Sequence, residues 1–112
     1  MTTQAGIENA ARALLALGAR AVVLTLGERG ALWATPAQMR SVPAFRVQPV
    51  DTTAAGDAFN GGLAVALARG DEMEPAIRYA CAVAALSVTR FGAQPSLPSK
   101  LQVAEFLLAH NR

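Results

Sequence analysis

Two long uncharged runs, Ala58–Ala68 and Tyr79–Thr89, restrict the possible folds of this chain more than any other feature. Each run is too short to cross a bilayer, which takes about 20 apolar residues in a helix. Both are nearly apolar on every side of a helix, and such helices are buried inside a larger protein. The rest of the chain offers only short strands to cover them. We therefore expect a piece of a larger α/β fold, or a subunit that must associate.

Helical periodicity predicts four helices. Apolar residues recur at helical spacing over the segments 7–17, 55–68, 74–88 and 100–110. Gly18 and Gly70 follow the first two segments as C-terminal stops, and Pro75 suits the first turn of the third. His110 is expected to be a solvated residue in the last turn of the fourth helix.

Short apolar segments predict the strands. Residues 21–26 and 31–35 have the composition of two short strands, joined by a turn at 27–30. Residues 40–50 alternate loosely and contain two prolines, which favours a short or edge strand followed by a loop. The residues directly before the small-residue turn are nevertheless interpreted as a strand end, with Asp51 at that end.

The charge balance and the lone cysteine exclude several functional classes. With a net charge of +2, 16% charged and 53% hydrophobic residues, the chain is not intrinsically disordered. Basic residues are scattered among nearly as many acids, so we expect no nucleic-acid partner. Cys81 alone provides neither an internal disulfide framework nor a multi-cysteine zinc site, and it favours a reducing, cytoplasmic setting. We see no secretory signal in the first ten residues and expect no membrane partner.

The segment 50–62, VDTTAAGDAFNGG, combines a turn of small residues with the start of a helix. The Ala-Ala-Gly residues 54–56 have minimal side chains, so their backbone N–H groups can approach a ligand closely. Unpaired N–H groups at a helix start, together with the helix dipole, make a site suited to phosphate. Asp57 borders this site, where a carboxylate can accept a proton from an attacking hydroxyl. The spacing leaves open an alternative, in which Thr52 or Thr53 caps the helix and Asp57 only complements its dipole.

At this segment the sequence resembles a known family. DTTAAGDAFNGG is similar to the C-terminal signature D-T-x-G/A-A-G-D of the ribokinase-like (PfkB-type) carbohydrate kinases. The resemblance continues through VVLTLGERGALWA and VPAFRVQPVD upstream and EPAIRYACAVAALSVTRFGAQPSLP downstream, and it is nearest to the ribokinase branch. It implies a three-layer α/β/α fold in which residues 1–112 form the C-terminal part, which binds nucleotide and phosphate. The N-terminal sugar-binding motif, the β-lid and the N-x-x-E motif of such kinases have no counterpart in the chain.

The resemblance also implies roles for individual residues. Asp57 would be the catalytic base, and Ala54, Ala55 and Gly56, with the Asp57 N–H, would form the anion hole for the transferring phosphoryl group. The residues implied beside the nucleotide are Thr25, Gly27, Glu28, Arg29, Gly30, Gly56 and Cys81. The residues implied at a monovalent-cation site, with K⁺ as the ion, are Asp51, Thr53, Ser87, Arg90, Gly92 and Ser96.

Some of these assignments have purely structural alternatives. Gly27 and Gly30 also suit a tight hairpin turn that binds nothing. Cys81, where the family often has His or Asn, is equally well explained as a small buried apolar residue. The 92–96 segment is also compatible with an ordinary loop.

The function predicted on this basis is ATP-dependent phosphorylation of a sugar hydroxyl, with D-ribose converted to ribose 5-phosphate. ATP, Mg²⁺ and K⁺ are the implied cofactors. The chain alone is expected to be inactive, because it lacks the sugar pocket, and its expected partner is the missing N-terminal part or a second copy of itself. Two alternatives stay open: a non-catalytic remnant that binds nucleotide or self-associates, and a kinase for another sugar or a nucleoside.

Overall fold

The computed structural model describes residues 3–89 and 98–110, which form four α-helices and three strands. The helices are α1 (Gln4–Ala16), α2 (Ala55–Ala68), α3 (Met73–Val88) and α4 (Lys100–Ala109). The strands are β1 (Val22–Thr25), β2 (Ala31–Ala34) and β3 (Met39–Val42). The predicted helices are confirmed, with ends that agree to within three residues.

The three strands form an antiparallel sheet in the order β1-β2-β3. Ala31 of β2 pairs with Thr25 on one side and with Val42 on the other. Within the described residues β1 and β3 are therefore the two edges, and the edge strand predicted between residues 40 and 50 is confirmed as β3. It ends directly before Pro43, which has no N–H group for a ladder hydrogen bond.

The expected strand before Asp51 is absent, and that prediction is wrong. Residues 43–51 have no regular secondary structure, because two prolines interrupt the ladder. The chain is held instead against the end of α3, where the Val88 carbonyl accepts hydrogen bonds from the N–H groups of Val50 (2.6 Å) and Asp51 (3.0 Å). The segment that leads to α2 is thus fixed by a helix end.

Helices cover both faces of the sheet. On one face, Ile7 and Ala11 of α1 are fully buried against Leu32 and Ala34. On the other face, the alternate residue Ala31 packs in a larger core that includes Ile77 of α3 and parts of α2 and α4. The described part of the chain is therefore a partial α/β fold with helix, sheet and helix layers, as expected.

Helix α2 packs closely on α3. Gly62 of α2 lies against Val83 and Ala80 of α3, with no room for a side chain between them. On its outer side α2 leaves Val65 46% and Leu67 40% exposed, so this helix is less buried than its apolar sequence predicts. Within the described residues, no helix is both long and apolar enough to cross a bilayer.

The end of α4 departs from expectation. His110 is partly buried, and its ring stacks on Phe106 with centroids 4.0 Å apart. The prediction of a solvated histidine is therefore wrong, because the four-residue spacing places His110 on the same helix face as a buried phenylalanine.

Candidate nucleotide and phosphate site

The N-terminus of α2 has no side-chain cap. Its N-cap residue is Ala54, and neither Thr52 nor Thr53 donates or accepts a capping bond there, so the alternative in which a threonine caps the helix is wrong. The Ala55 N–H bonds to the Thr52 carbonyl at 3.2 Å. Those of Gly56 and Asp57 have no acceptor among the described residues. Two N–H groups at the positive end of the helix are therefore available to an anion.

Asp57 occupies the first turn of α2 and is exposed. Its carboxylate makes no ion pair and no hydrogen bond with another described residue. The side chain directly follows Gly56, so a carboxylate acceptor lies beside the available N–H groups. This arrangement can take a proton from a hydroxyl held next to a bound phosphate.

A compact turn precedes the helix. The Thr53 N–H donates to Oδ1 of Asp51 at 2.8 Å, and the Thr53 hydroxyl donates to the same oxygen. Ser87, another predicted cation ligand, is half-buried in the last turn of α3, next to the Val88 carbonyl that holds Asp51. The structure therefore brings Asp51, Thr53 and the end of α3 together.

The remaining predicted cation ligands, Arg90, Gly92 and Ser96, lie outside the described residues. Carboxylate, hydroxyl and carbonyl oxygens are the donors that a hard cation takes, so the described half of the set is chemically suited to a hard cation. No group of three or more His, Cys, Asp or Glu side chains in the described parts of the chain is arranged to hold a metal ion.

The turn between β1 and β2 is a single 3₁₀ turn, Gly27–Arg29. Leu26 N–H bonds to the Gly30 carbonyl at 2.8 Å, and Gly30 N–H bonds to the Gly27 carbonyl at 3.0 Å. Gly30 has a φ of +92°, and a Cβ there would lie 2.0 Å from the Val42 carbonyl oxygen. Gly30 is therefore required by the hairpin itself, whatever the loop binds.

A cleft of about 570 Å³ lies between this turn, the segment after β3, the start of α2 and one side of α3. It brings together most of the residues that sequence analysis placed at a nucleotide. The predicted residues that line it are Thr25, Gly27, Glu28, Gly30, Ala55, Gly56 and Cys81. Arg29, Ala54 and Asp57 are not among its lining residues.

Most of the apolar wall of the cleft was not predicted from sequence. Phe45 and Phe59 contribute aromatic surface, and α3 contributes Ala84, Ala85 and Val88 beside Cys81. The α3 residues share one helix face with Cys81 at spacings of three, four and seven, so their periodicity was a usable signal. Phe45 comes from an irregular segment, for which sequence spacing gives no such signal.

Cys81 is buried, as expected of a small apolar residue, and it also lines the cleft that we associate with the nucleotide. It is only 5% exposed and belongs to the core. Burial raises the pKa of the Cys81 thiol to about 11, although nearby Arg78 acts in the opposite direction. The side chain is therefore a neutral thiol near pH 7, which offers a ligand apolar contact rather than charge.

Comparisons with known proteins show the family of the chain. The sequence profile described as pfkB family carbohydrate kinase matches residues 1–100. Deoxyribokinase from Salmonella typhi is 46% identical over 90% of the chain, and ribokinase from Bacillus subtilis is 44% identical over 83%. The chain spans about a third of the length of these relatives, 33% and 32% respectively.

Solved structures give the same result. A ribokinase from Thermotoga maritima matches with a TM-score of 0.87 and 46% identity, covering 91% of this chain and 34% of that one. An Arabidopsis thaliana ribokinase complexed with ribose and ATP matches with a TM-score of 0.87 and 34% identity, covering 94% of this chain and 34% of that one.

Proposed function

The chain belongs to the pfkB family of carbohydrate kinases, and we propose that it is the C-terminal part of a kinase that transfers the γ-phosphoryl group of ATP to a sugar hydroxyl. One observation carries the proposal: the uncapped start of α2, with the Asp57 carboxylate beside it, adjoins a cleft of about 570 Å³. A phosphate site, a base and a nucleotide-sized cleft are the three parts that such a transfer needs.

The proposed chemistry assigns a separate task to each group. The N–H groups of Gly56 and Asp57 bind the oxygens of the transferring phosphoryl group, where negative charge is greatest. The Asp57 carboxylate accepts the proton of the sugar hydroxyl as its oxygen bonds to phosphorus. The bond from phosphorus to the bridging oxygen breaks, and ADP leaves with that oxygen. Mg²⁺, when bound to the nucleotide, neutralises charge on the phosphates.

The cleft is assigned to the rest of the nucleotide. The 3₁₀ turn Gly27–Arg29 and the N-terminus of α2 form its two polar sides. Phe45, Cys81 and the α3 face form an apolar side, on which an adenine ring packs. The turn of Asp51 and Thr53 would hold K⁺, which would fix the backbone that leads into the phosphate site.

The sugar acceptor is proposed to be D-ribose, as in the ribokinases among the relatives, with ribose 5-phosphate as product. The deoxyribokinase at 46% identity makes 2-deoxyribose the competing acceptor. A panel of ribose, deoxyribose, fructose and adenosine, assayed with the complete enzyme, distinguishes them. Phosphorylation of none of the four would contradict the proposed reaction.

A missing partner is proposed from the surface of the chain. Strand β1 has no neighbour on its outer edge among the described residues, and α2 packs on α3 rather than on the sheet. Val65 and Leu67 of α2 and Leu17 after α1 are exposed. We assign this surface to the N-terminal two thirds of a complete kinase, which would also supply the sugar pocket. The cytoplasm is the proposed location of the complete kinase.

A second candidate function is nucleotide binding without phosphoryl transfer, because the cleft and the uncapped start of α2 both lie within the described residues. A chain that spans a third of its relatives can bind nucleotide without catalysing transfer. Assays of the 112-residue chain and of the complete enzyme separate the two: ATP binding without sugar phosphorylation is expected for the chain. Turnover of ribose by the chain at roughly 1–100 per second, the usual range for kinases, would contradict this expectation.

A further inference from the structure

Phe45 forms an aromatic wall of the cleft. This residue lies in the irregular segment after β3, yet its side chain is only 5% exposed and lines the cleft. A wall without a strand or helix of its own is positioned by its side-chain contacts. Phe45 is therefore held by the groups that touch its ring.

Three such groups are Phe106 and His110, at the C-terminal end of α4, and Arg78, on a part of α3 that does not line the cleft. The Phe106 ring meets the Phe45 ring edge-on, with centroids 5.1 Å apart and planes at 78°. The His110 ring lies 6.0 Å from it at 82°. The Arg78 guanidinium carbon lies 4.9 Å from its centroid, over the ring. None of these three residues lines the cleft.

His110 completes the arrangement by fixing Phe106. The two rings stack at 4.0 Å with an interplanar angle of 21°. Nδ1 of His110 lies 2.9 Å from the Phe106 carbonyl oxygen, so the imidazole is also tied to the helix end. The path from His110 to Phe106 to Phe45 is continuous ring contact, and it ends at the cleft.

We infer that Phe106 and His110 are positioning residues for the nucleotide: through Phe45 they set the apolar wall on which the base packs. The inference rests on the proposed function of the cleft. The inference concerns only the part of the cleft that takes the nucleobase. The phosphate is bound by backbone N–H groups of α2, and α4 does not contribute to that part of the site. The end of α4 thereby contributes to nucleotide recognition although it does not line the cleft.

The first test needs no nucleotide. Cys81 lines the same cleft as Phe45, so its modification by iodoacetamide reports how firmly the wall is held. In the 112-residue chain, His110→Ala and Phe106→Leu should speed the native-state reaction about three- to tenfold. His110→Phe keeps a stacked ring and should restore the slow rate. Equal rates in His110→Ala and the unmodified chain would overturn the inference.

Two control variants separate this effect from general loosening. Leu108→Ser changes a residue that is 78% exposed on the same helix, and it should leave the rate unchanged. Ile7→Val loosens the separate core under α1 and should lower stability without altering the native-state rate. If Ile7→Val speeds the reaction as much as His110→Ala at matched stability, the positioning role is overturned.

The second test compares ATP with inorganic tripolyphosphate by calorimetry on the same chain. His110→Ala should weaken ATP binding about three- to tenfold and leave tripolyphosphate binding unchanged, because tripolyphosphate has no nucleobase. Equal weakening of both ligands, or of neither, would overturn the inference alone. If the unmodified chain binds neither ligand, the same comparison is made in the complete enzyme. If the complete enzyme does not bind ATP either, the proposed function fails, and the inference fails with it.

Discussion

A methyl group on Gly62 of α2 would lie 2.9 Å from Cγ2 of Val83 in α3, well inside the usual carbon–carbon contact of about 3.5–4.0 Å. The backbone of α2 at Gly62 therefore packs directly against the Val83 side chain of α3. Their separation sets the geometry of the cleft, since the start of α2 and one face of α3 are two of its walls.

The first prediction concerns this crossing. Gly62→Ala should destabilise the fold, because overpacking a core costs about 1–3 kcal/mol, while alanine recovers about 1 kcal/mol of helix propensity. Thermal unfolding followed by the fluorescence of Trp33 should show a transition several degrees lower. The double variant with Val83→Ala should lose less than the two single changes together. A higher transition temperature for Gly62→Ala would show that the helices do not approach so closely.

Gly30 and Gly27 provide a matched pair for the second prediction. Gly30→Ala combines a positive φ of +92° with a Cβ 2.0 Å from the Val42 carbonyl oxygen, so we expect loss of the hairpin and a poorly folded chain. Gly27→Ala has a φ of +60° and nothing within 4 Å of the added Cβ. It should cost about 1–2 kcal/mol, the usual price of left-handed backbone. Chemical denaturation of both variants tests the difference, and similar losses would contradict it.

Helix boundaries were predictable here because they depend on local chemistry. The apolar periodicity of α2 stops at Arg69–Gly70, where the helix ends, and Pro75 lies in the first turn of α3. These two boundaries could therefore be predicted from neighbouring residues. Residues 43–50 were not predictable in this way. Two prolines break their alternation, and their position depends on the Val88 carbonyl, which is 38 residues away from Val50.

The candidate site likewise contains parts that were predictable from local sequence and parts that depend on distant contacts. The start of α2 and the glycine turn are both local features. Residue spacing predicts a phosphate site at the start of α2, whereas only the family resemblance implies that the glycine turn lies beside a nucleotide. Phe45 becomes a cleft wall only through contacts with α3 and α4, which no sequence spacing reveals. His110 was within reach of prediction, since a residue four positions after a buried phenylalanine shares its helix face.

The third prediction uses the thiol in the cleft. Burial raises the pKa of Cys81 from its ordinary value of 9.0 to about 11, so the thiolate fraction near pH 8 falls about a hundredfold. Alkylation of the native chain should be slower by at least that factor than in denaturant, and ATP should slow it further. Modification at the rate of an exposed thiol would contradict the placement of Cys81.

The same pKa shift has a consequence for stability. The folded state keeps the proton on Cys81 between the ordinary pKa of 9.0 and about 11, whereas the unfolded state releases it. The contribution of this thiol is therefore fully present below pH 9 and is lost as pH rises toward 11. Cys81→Ala should remove that part of the alkaline decline in the free energy of unfolding.

The fourth prediction concerns the cation. In the complete enzyme, replacing K⁺ by a large organic cation should lower turnover, because the turn of Asp51 and Thr53 loses its ordering ion. Asp51→Asn should weaken the dependence on K⁺ and retain more turnover than loss of the base. Activity that does not change with the cation would contradict the proposed site.

The most direct test of the central claim is Asp57→Asn in the complete enzyme, with kcat and nucleotide affinity measured together. Asparagine keeps the shape of the side chain and removes its basicity, so kcat should fall about 10²–10⁴-fold, the usual contribution of a positioned base. The affinity for ATP should change little, because backbone N–H groups of α2 bind the phosphate. An Asp57→Asn enzyme that kept most of its kcat would contradict the account and reduce the start of α2 to a phosphate-binding site.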